Sequence, residues 1–236
     1  MSATREATAP LRALIIQHEE PTPPGFVNEW LDGHGAIVET FRIDIDEREV
    51  DPSDYDLIVS LGAECAAFDD SMPFVPREAR LMKRAVDADV PILGLCFGGQ
   101  MLARVLGGDV FRNEVSEIGW LPVRSNDAEL VPEGPWFQWH FDAFTLPPGA
   151  KLIAESDVGP QAFVAGRSLG LQFHPEVTTE IMDDWVRVYR HELDADGVDP
   201  DLLLQETKRR ASDTRRMSRQ LLERFLSDVA GLGSTG

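Results

Sequence analysis

Cysteine is scarce here: two residues in 236, too few for a disulfide framework, so a reducing compartment is the default expectation. Cationic charge is also short. Only 22 Lys+Arg face 41 Asp+Glu, a net charge of −19, and just three of the basic residues are lysine. A surface that neutralises phosphates needs the opposite balance, which argues against a nucleic-acid partner and against an anionic membrane surface. No apolar run approaches the ~20 residues that span a bilayer. The first ten residues, MSATREATAP, hold no apolar core of signal-peptide length. The expectation is a soluble, acidic, cytoplasmic protein. Hydrophobic residues at 43% and charged residues at 27% are ordinary for a globular chain. A chain of this length buries about 70–75% of its unfolded surface without staples.

What is present reads as alternating strands and helices. Leu11–Gln17, Ala36–Ile43, Tyr55–Leu61 and Val90–Leu95 are short apolar runs of strand length. Between them Phe26, Val27, Trp30 and Leu31 fall at helical spacing, and Arg77–Ala88 is helical. The stretch from Asp44 to Asp56 holds seven acids and one arginine, a solvated connection. This alternation predicts a parallel sheet with helices on both faces. From Asp109 to Phe173 the pattern changes to short runs between turn residues: Trp120–Val123, Phe141–Leu146, Leu152–Ala154, Ala162–Ala165 and Leu169–Phe173. These read as antiparallel or edge strands. After His174 the chain turns helical. Asp199-Pro200 starts a last helix whose apolar face runs from Met217 to Val229, and Gly231–Gly236 reads as a frayed tail. The division expected is one α/β domain over residues 1–192 and a helical extension over 193–236 packed on it.

The most informative segment is Gly94-Leu95-Cys96-Phe97-Gly98-Gly99-Gln100. A cysteine flanked by glycines two residues either side, between a strand and a helix over Gln100–Leu106, matches the sharp turn that displays a nucleophile. The helix N-terminus behind it favours thiolate, and the next backbone N–H can hold an oxyanion. The alternative is a buried cysteine at a glycine-rich strand end. A thiol needs a base. His174 ends an apolar strand, and Glu176 lies two residues on, past Pro175, which enforces extension on the residue before it. Glu176 can then orient the His174 ring toward Cys96.

These two segments, with Trp139-His140-Phe141-Asp142, Leu146-Pro147-Pro148-Gly149 and Gln161-Ala162-Phe163, resemble the class I glutamine amidotransferases, the triad family, over residues 11–190. The nearest likeness is to free-standing proteins related to the glutaminase part of GMP synthase. The resemblance implies a flavodoxin-like, mostly parallel, seven-stranded sheet. It implies hydrolysis of the glutamine side-chain amide, through a γ-glutamyl thioester, to glutamate and ammonia. Cys96 matches the nucleophile, His174 the base and acid, and Glu176 the orienter. Phe97 N–H matches one oxyanion donor, and the turn with Gly62 and Ala63 supplies the other. Gln100, Trp139, His140 and Phe141 match the substrate pocket. No cofactor or metal is implied. The partners implied are glutamine or a γ-glutamyl compound and, on another polypeptide, a synthetase subunit that accepts ammonia.

Two positions depart from the family pattern. Ala63 stands where a second glycine is usual, and strain or a reshaped oxyanion hole follows if that position needs φ > 0. Phe141 stands where relatives commonly have glycine, so its ring either turns away or lies over the pocket mouth. Hence two rival readings stand beside the glutaminase: a γ-glutamyl peptide or amide hydrolase on the same triad, and a non-catalytic binding protein on this scaffold. Cys65 reads as a small core residue or a resolving thiol, and Trp136 as core or cleft wall. His18, His34 and His191 show no metal-ligand spacing. Six basic residues between Lys208 and Arg219 read as a solvated helix face.

Overall fold

The computed structural model describes residues 9–233, so the MSATREAT start and the last three residues of the glycine-rich tail lie outside it. The strands are β1 (Arg12–Gln17), β2 (Ile37–Arg42), β3 (Leu57–Ser60), β4 (Ile92–Leu95), β5 (Val110–Ser125), β6 (Gly134–Phe144), β7 (Lys151–Glu155), β8 (Pro160–Ala165) and β9 (Ser168–Leu171). The helices are α1 (Gly25–Gly33), α2 (Phe74–Asp87), α3 (Phe97–Val105), α4 (Thr179–Val188), α5 (Arg190–Asp196) and α6 (Pro200–Arg224). The sheet order is β2-β1-β3-β4-β9-β8-β7-β5-β6. The first five strands in that order pair in parallel, and every pairing beyond β9 is antiparallel.

β3, β4 and β9 are buried at every residue, as two-sided cover demands of central parallel strands. Their side chains alternate between two cores. Ala13, Ile15, Leu57 and Val59 join α1 and α6 on one face; Leu14, Ile16 and Ile58 join α2 and α3 on the other. A third cluster packs the β5–β6 hairpin (Trp120, Phe137, Trp139) on α4 to α6.

The sheet has nine strands where the resemblance implied seven. The added area is the β5–β6 hairpin, which is far longer than the Trp120–Val123 and Phe141–Leu146 runs suggested. Its outer half reads Arg-Asn-Glu-Val-Ser-Glu and is largely exposed, so hydrophobic patterning is silent there; the cross-strand register also shifts between Arg112 and Glu117, an irregularity that patterning cannot show. α3 starts at Phe97, three residues before the apolar pattern, because Gly98 and Gly99 carry no side chains to show it. Among the described residues no helix is long and apolar enough to cross a membrane.

β1 is flanked by β2 on one side and β3 on the other, so the strand order reverses there. The carboxyl ends of β1, β3, β4 and β9 deliver His18, Gly62, Cys96 and His174 to one edge of the sheet. Crevices for ligands form at such a switch point.

Candidate active site

Cys96 is the single residue between β4 and α3, with φ +50° and ψ −107°. A positive φ in a non-glycine residue is costly and persists only where the surroundings over-determine it. Here they do. Cys96 N–H donates to Leu171 O at 2.9 Å, and Gly98 N–H donates to Leu61 O at 3.0 Å. A Cβ on Gly98 would lie 2.2 Å from Ser60 O, one on Gly99 2.2 Å from Leu171 O, and one on Gly94 2.4 Å from Gly98 O. The elbow glycines are thus fixed by close approach of backbone. Phe97 N–H, in the first turn of α3, has no intrahelical partner.

His174 follows β9 and is tied to β6 by its N–H to Phe137 O, 2.9 Å. Its Nδ1 lies 2.6 Å from Glu176 Oε1, and both side chains are nearly inaccessible. Nε2 has no partner and is buried. Burial alone would pull the imidazole down, but the Glu176 carboxylate and the Cys96 sulfur more than offset it and push it up to about 10. The loop is held from outside. Phe26 N–H donates to Glu176 O at 3.0 Å, and Ser218 Oγ of α6 donates to Pro175 O at 2.8 Å. The C-terminal helix therefore props the segment that carries the histidine.

The turn after β3 is held by a second buried pair. His18 Nε2 lies 2.6 Å from Glu78 Oε2 and Nδ1 lies 3.1 Å from Gly62 O, while Ser60 Oγ donates to Glu78 Oε1 at 2.5 Å. A carbonyl accepts only, so Nδ1 carries a proton. Burial opposes charge on this ring, but Glu78 outweighs it and His18 is raised. In a planar trans peptide the N–H points opposite to the C=O. With Gly62 O turned to His18, Ala63 N–H is directed away from that carbonyl, and both Gly62 and Ala63 line the cleft. Ala63 does not have a positive φ, so the feared strain is absent. A Cβ at Gly62 would sit 3.2 Å from His174 Cε1, so a side chain there would crowd the imidazole.

One cleft collects Gly62, Ala63, Cys96, Phe97, Gln100, Trp139, His140, Phe141 and His174. The Cys96 thiol is 3.8 Å from Trp139 O and 3.7 Å from the Gln172 amide. Gln100 Nε2 donates to Asp142 O (3.1 Å) and Gln172 Oε1 (3.2 Å). His140 is buried, with Nδ1 donating to Asp142 O at 3.0 Å and Nε2 3.0 Å from Glu117 Oε2. Phe141 lines the cleft and packs against the Trp139 cluster, with the Arg112 guanidinium 4.6 Å from its ring centroid. Cys65 lines the rim; burial and neighbouring carboxylates push its thiol up to about 12, unlike an activated nucleophile. Trp136 is core, stacked on Phe173 at 4.5 Å. Arg209 and Arg210 pair with Glu206, and Arg215 with Glu29, on the flank of α6.

A family model for "Glutamine amidotransferase class-I" matches residues 31–186. The chain belongs to the class I glutamine amidotransferase family. A glutamine amidotransferase from Thermotoga maritima superposes with a TM-score of 0.84 at 32% identity, over 92% of this chain and 99% of that one. A glutamine amido transferase from Methylobacillus flagellatus superposes at 0.86 with 27% identity, over 94% and 96%. The amidotransferase-like protein YfeJ of Salmonella typhimurium is 26% identical over 93% of this chain and 97% of its own length. GMP synthase of Aeropyrum pernix is 38% identical, but the match covers 41% of this chain and 21% of that one. This chain therefore spans about a fifth of the GMP synthases it matches.

Arg112, Gln172, His18 and Glu78 escaped the sequence reading of this amidotransferase site. For His18 the signal was there: a histidine at the end of the first apolar strand.

Proposed function

We propose that the protein hydrolyses the side-chain amide of glutamine, or of a γ-glutamyl amide, through a thioester on Cys96. One observation carries this: Cys96 stands on a strained, glycine-packed elbow in the cleft that also holds His174, whose Nδ1 is fixed by Glu176 and whose Nε2 is unpartnered.

The Cys96 sulfur attacks the γ-carbonyl carbon, and the carbonyl electrons move to oxygen. Phe97 N–H and Ala63 N–H are disposed to hold that oxyanion. The C–N bond breaks as His174 gives its proton to the leaving nitrogen, leaving a γ-glutamyl thioester. Water then attacks the same carbon and gives a proton to His174. The C–S bond breaks, and glutamate leaves. Gln100 and Arg112 are the groups offered to the amino-acid end; Arg112, ion-paired with Asp142 at 3.3 Å, has further N–H donors for its α-carboxylate. As a glutaminase, the protein serves a separate synthetase subunit that accepts the ammonia. The γ-glutamyl amide hydrolase reading is favoured by Phe141, which lines the cleft with the Arg112 guanidinium over its ring.

A glutamine-like diazo-ketone should add one equivalent to Cys96, and hydroxylamine should trap the acyl group during turnover. Label on Cys65 with Cys96 free, read by mass spectrometry, overturns the assignment.

A further inference from the structure

The cleft is electrically lopsided. Beside Gln100 stand Asp142, Phe141 and Arg112, the only Arg or Lys lining the cleft among the described residues. Opposite them Glu19, Glu64 and Glu192 converge with Tyr189. They come from the end of β1, the turn after β3, the junction of α4 with α5, and α5 itself. Glu64 N–H donates to Glu19 Oε1 at 2.8 Å, and Trp139 Nε1 donates to Glu192 Oε2 at 2.6 Å. No Lys or Arg among the described residues forms an ion pair with these three carboxylates, though His191 lies beside Glu64 and Glu192. Burial holds Glu19 and Glu192 above the ordinary carboxylate range, against the hydrogen bonds from Glu64 N–H and Trp139 that pull them down; the Glu64 charge adds a smaller upward push. An acidic surface alone does not give this, because both groups are half-buried.

Tyr189 supplies an independent mark. It is 7% exposed, and its hydroxyl makes no hydrogen bond within 3.5 Å, the Glu19 carboxylate being its neighbouring acceptor. Burial and the neighbouring glutamates hold it protonated. A desolvated hydroxyl facing the cleft without a partner is a group awaiting a ligand. Trp185, Trp139 and Tyr189 join it to His174 in one wall: ring centroids are 5.0 Å apart for His174–Trp185, 5.9 Å for Trp139–Trp185 and 6.0 Å for Trp139–Tyr189.

We propose that Glu19, Glu64, Glu192 and Tyr189 form a subsite for a primary ammonium on the leaving group, so that the preferred substrate is the mono-γ-glutamyl amide of a diamine. The proposal rests on the hydrolase reading above. With the glutamyl end at Gln100 and Arg112, the scissile nitrogen lies toward His174, and what it carries extends along the aromatic wall to the carboxylates. An ammonium has three donors and no acceptor, which suits a cluster of three carboxylates and a hydroxyl oxygen. The chemistry is unchanged: the C–N bond breaks, His174 protonates the nitrogen, the diamine departs, and water hydrolyses the thioester. Glutamine has nothing to place there.

The test uses the purified full chain and three compounds: glutamine, γ-glutamyl-butylamide and γ-glutamyl-4-aminobutylamide. The last two differ chiefly in a terminal ammonium. The cationic amide should exceed the neutral one in kcat/KM by at least about tenfold at low salt, with the ratio falling as salt screens it. The pair Glu19→Gln and Glu64→Gln should bring the ratio to about one, and Tyr189→Phe should lower it. Equal turnover of both amides, or a ratio that survives the double substitution, overturns the subsite. So does binding of Mg²⁺, Mn²⁺ or Zn²⁺ alone, lost in Glu64→Gln, with a ratio near one: Glu64, His191 and Glu192 place ligand-type atoms within 4.8 Å, and that result assigns the cluster to a metal. Turnover of none of the three, with Cys96 inert to the diazo-ketone, fells the hydrolase reading itself.

Discussion

His18 and His174 are the same chemical pair in two settings. Each imidazole is buried, and each lies 2.6 Å from a buried glutamate oxygen. They differ at the second nitrogen. In His18 it is spent on Gly62 O, and the glutamate is further bound by Ser60. In His174 it is bare and shares the cleft with Cys96. A histidine with both nitrogens engaged is a strut, and one with a free nitrogen can move a proton. The strut still bears on the cleft, because the carbonyl it holds belongs to the turn whose Gly62 and Ala63 line it.

The sharpest way to break this comparison is to delete each ring. His174→Ala should lower kcat by about 10²–10⁴-fold, the usual worth of positioned proton transfer. Steady-state kinetics reads it. His18→Ala should instead act on stability, since it leaves Glu78 buried without its partner, a loss of about 3–5 kcal/mol. At 2–4 °C per kcal/mol for a chain of this size, Tm should fall by about 10 °C. A His18→Ala variant that keeps its fold and loses kcat as deeply as His174→Ala would erase the distinction.

A second test is pH. His174 holds its proton more tightly folded, up to about 10, than at its ordinary value of 6.5. Its contribution to stability is therefore fully present below about 6.5 and is lost as pH rises through about 10. The difference in unfolding free energy between wild type and His174→Asn should narrow over that window in denaturant titrations. Glu176→Gln should move the loss to lower pH, because it removes the carboxylate that raises the ring. A difference that is flat from pH 6 to 10.5 contradicts the charged pair.

The smallest effect belongs to Phe141. Its ring is the platform for Arg112, whose cation–π contact is worth about 0.5–1 kcal/mol at an exposed site. Phe141→Ala should raise KM for glutamine about two- to fivefold and leave kcat alone, if Arg112 meets the α-carboxylate. An unchanged KM makes the stack a surface contact.

The elbow and the His174–Glu176 pair were legible because their parts are neighbours in sequence: glycines two residues from a cysteine, and a glutamate two residues from a histidine. The parallel strands were legible because burial on both faces leaves unbroken apolar runs. The outer half of β5 was not, since nothing apolar marks it. Nor was the harmlessness of Ala63, because φ is a property of the folded turn.

By itself, then, the sequence marked the candidates for nucleophile, base and orienter, and that a parallel sheet displays them, because local spacing and strand burial leave marks along the chain. Only the tertiary structure decided what surrounds them. His18 meets Glu78 across 60 residues, Arg112 meets Phe141 through the β5–β6 register, and Tyr189 meets three glutamates from separate segments. Such contacts depend on how the strands are ordered in the sheet, and no pattern of residue types along the chain encodes that order.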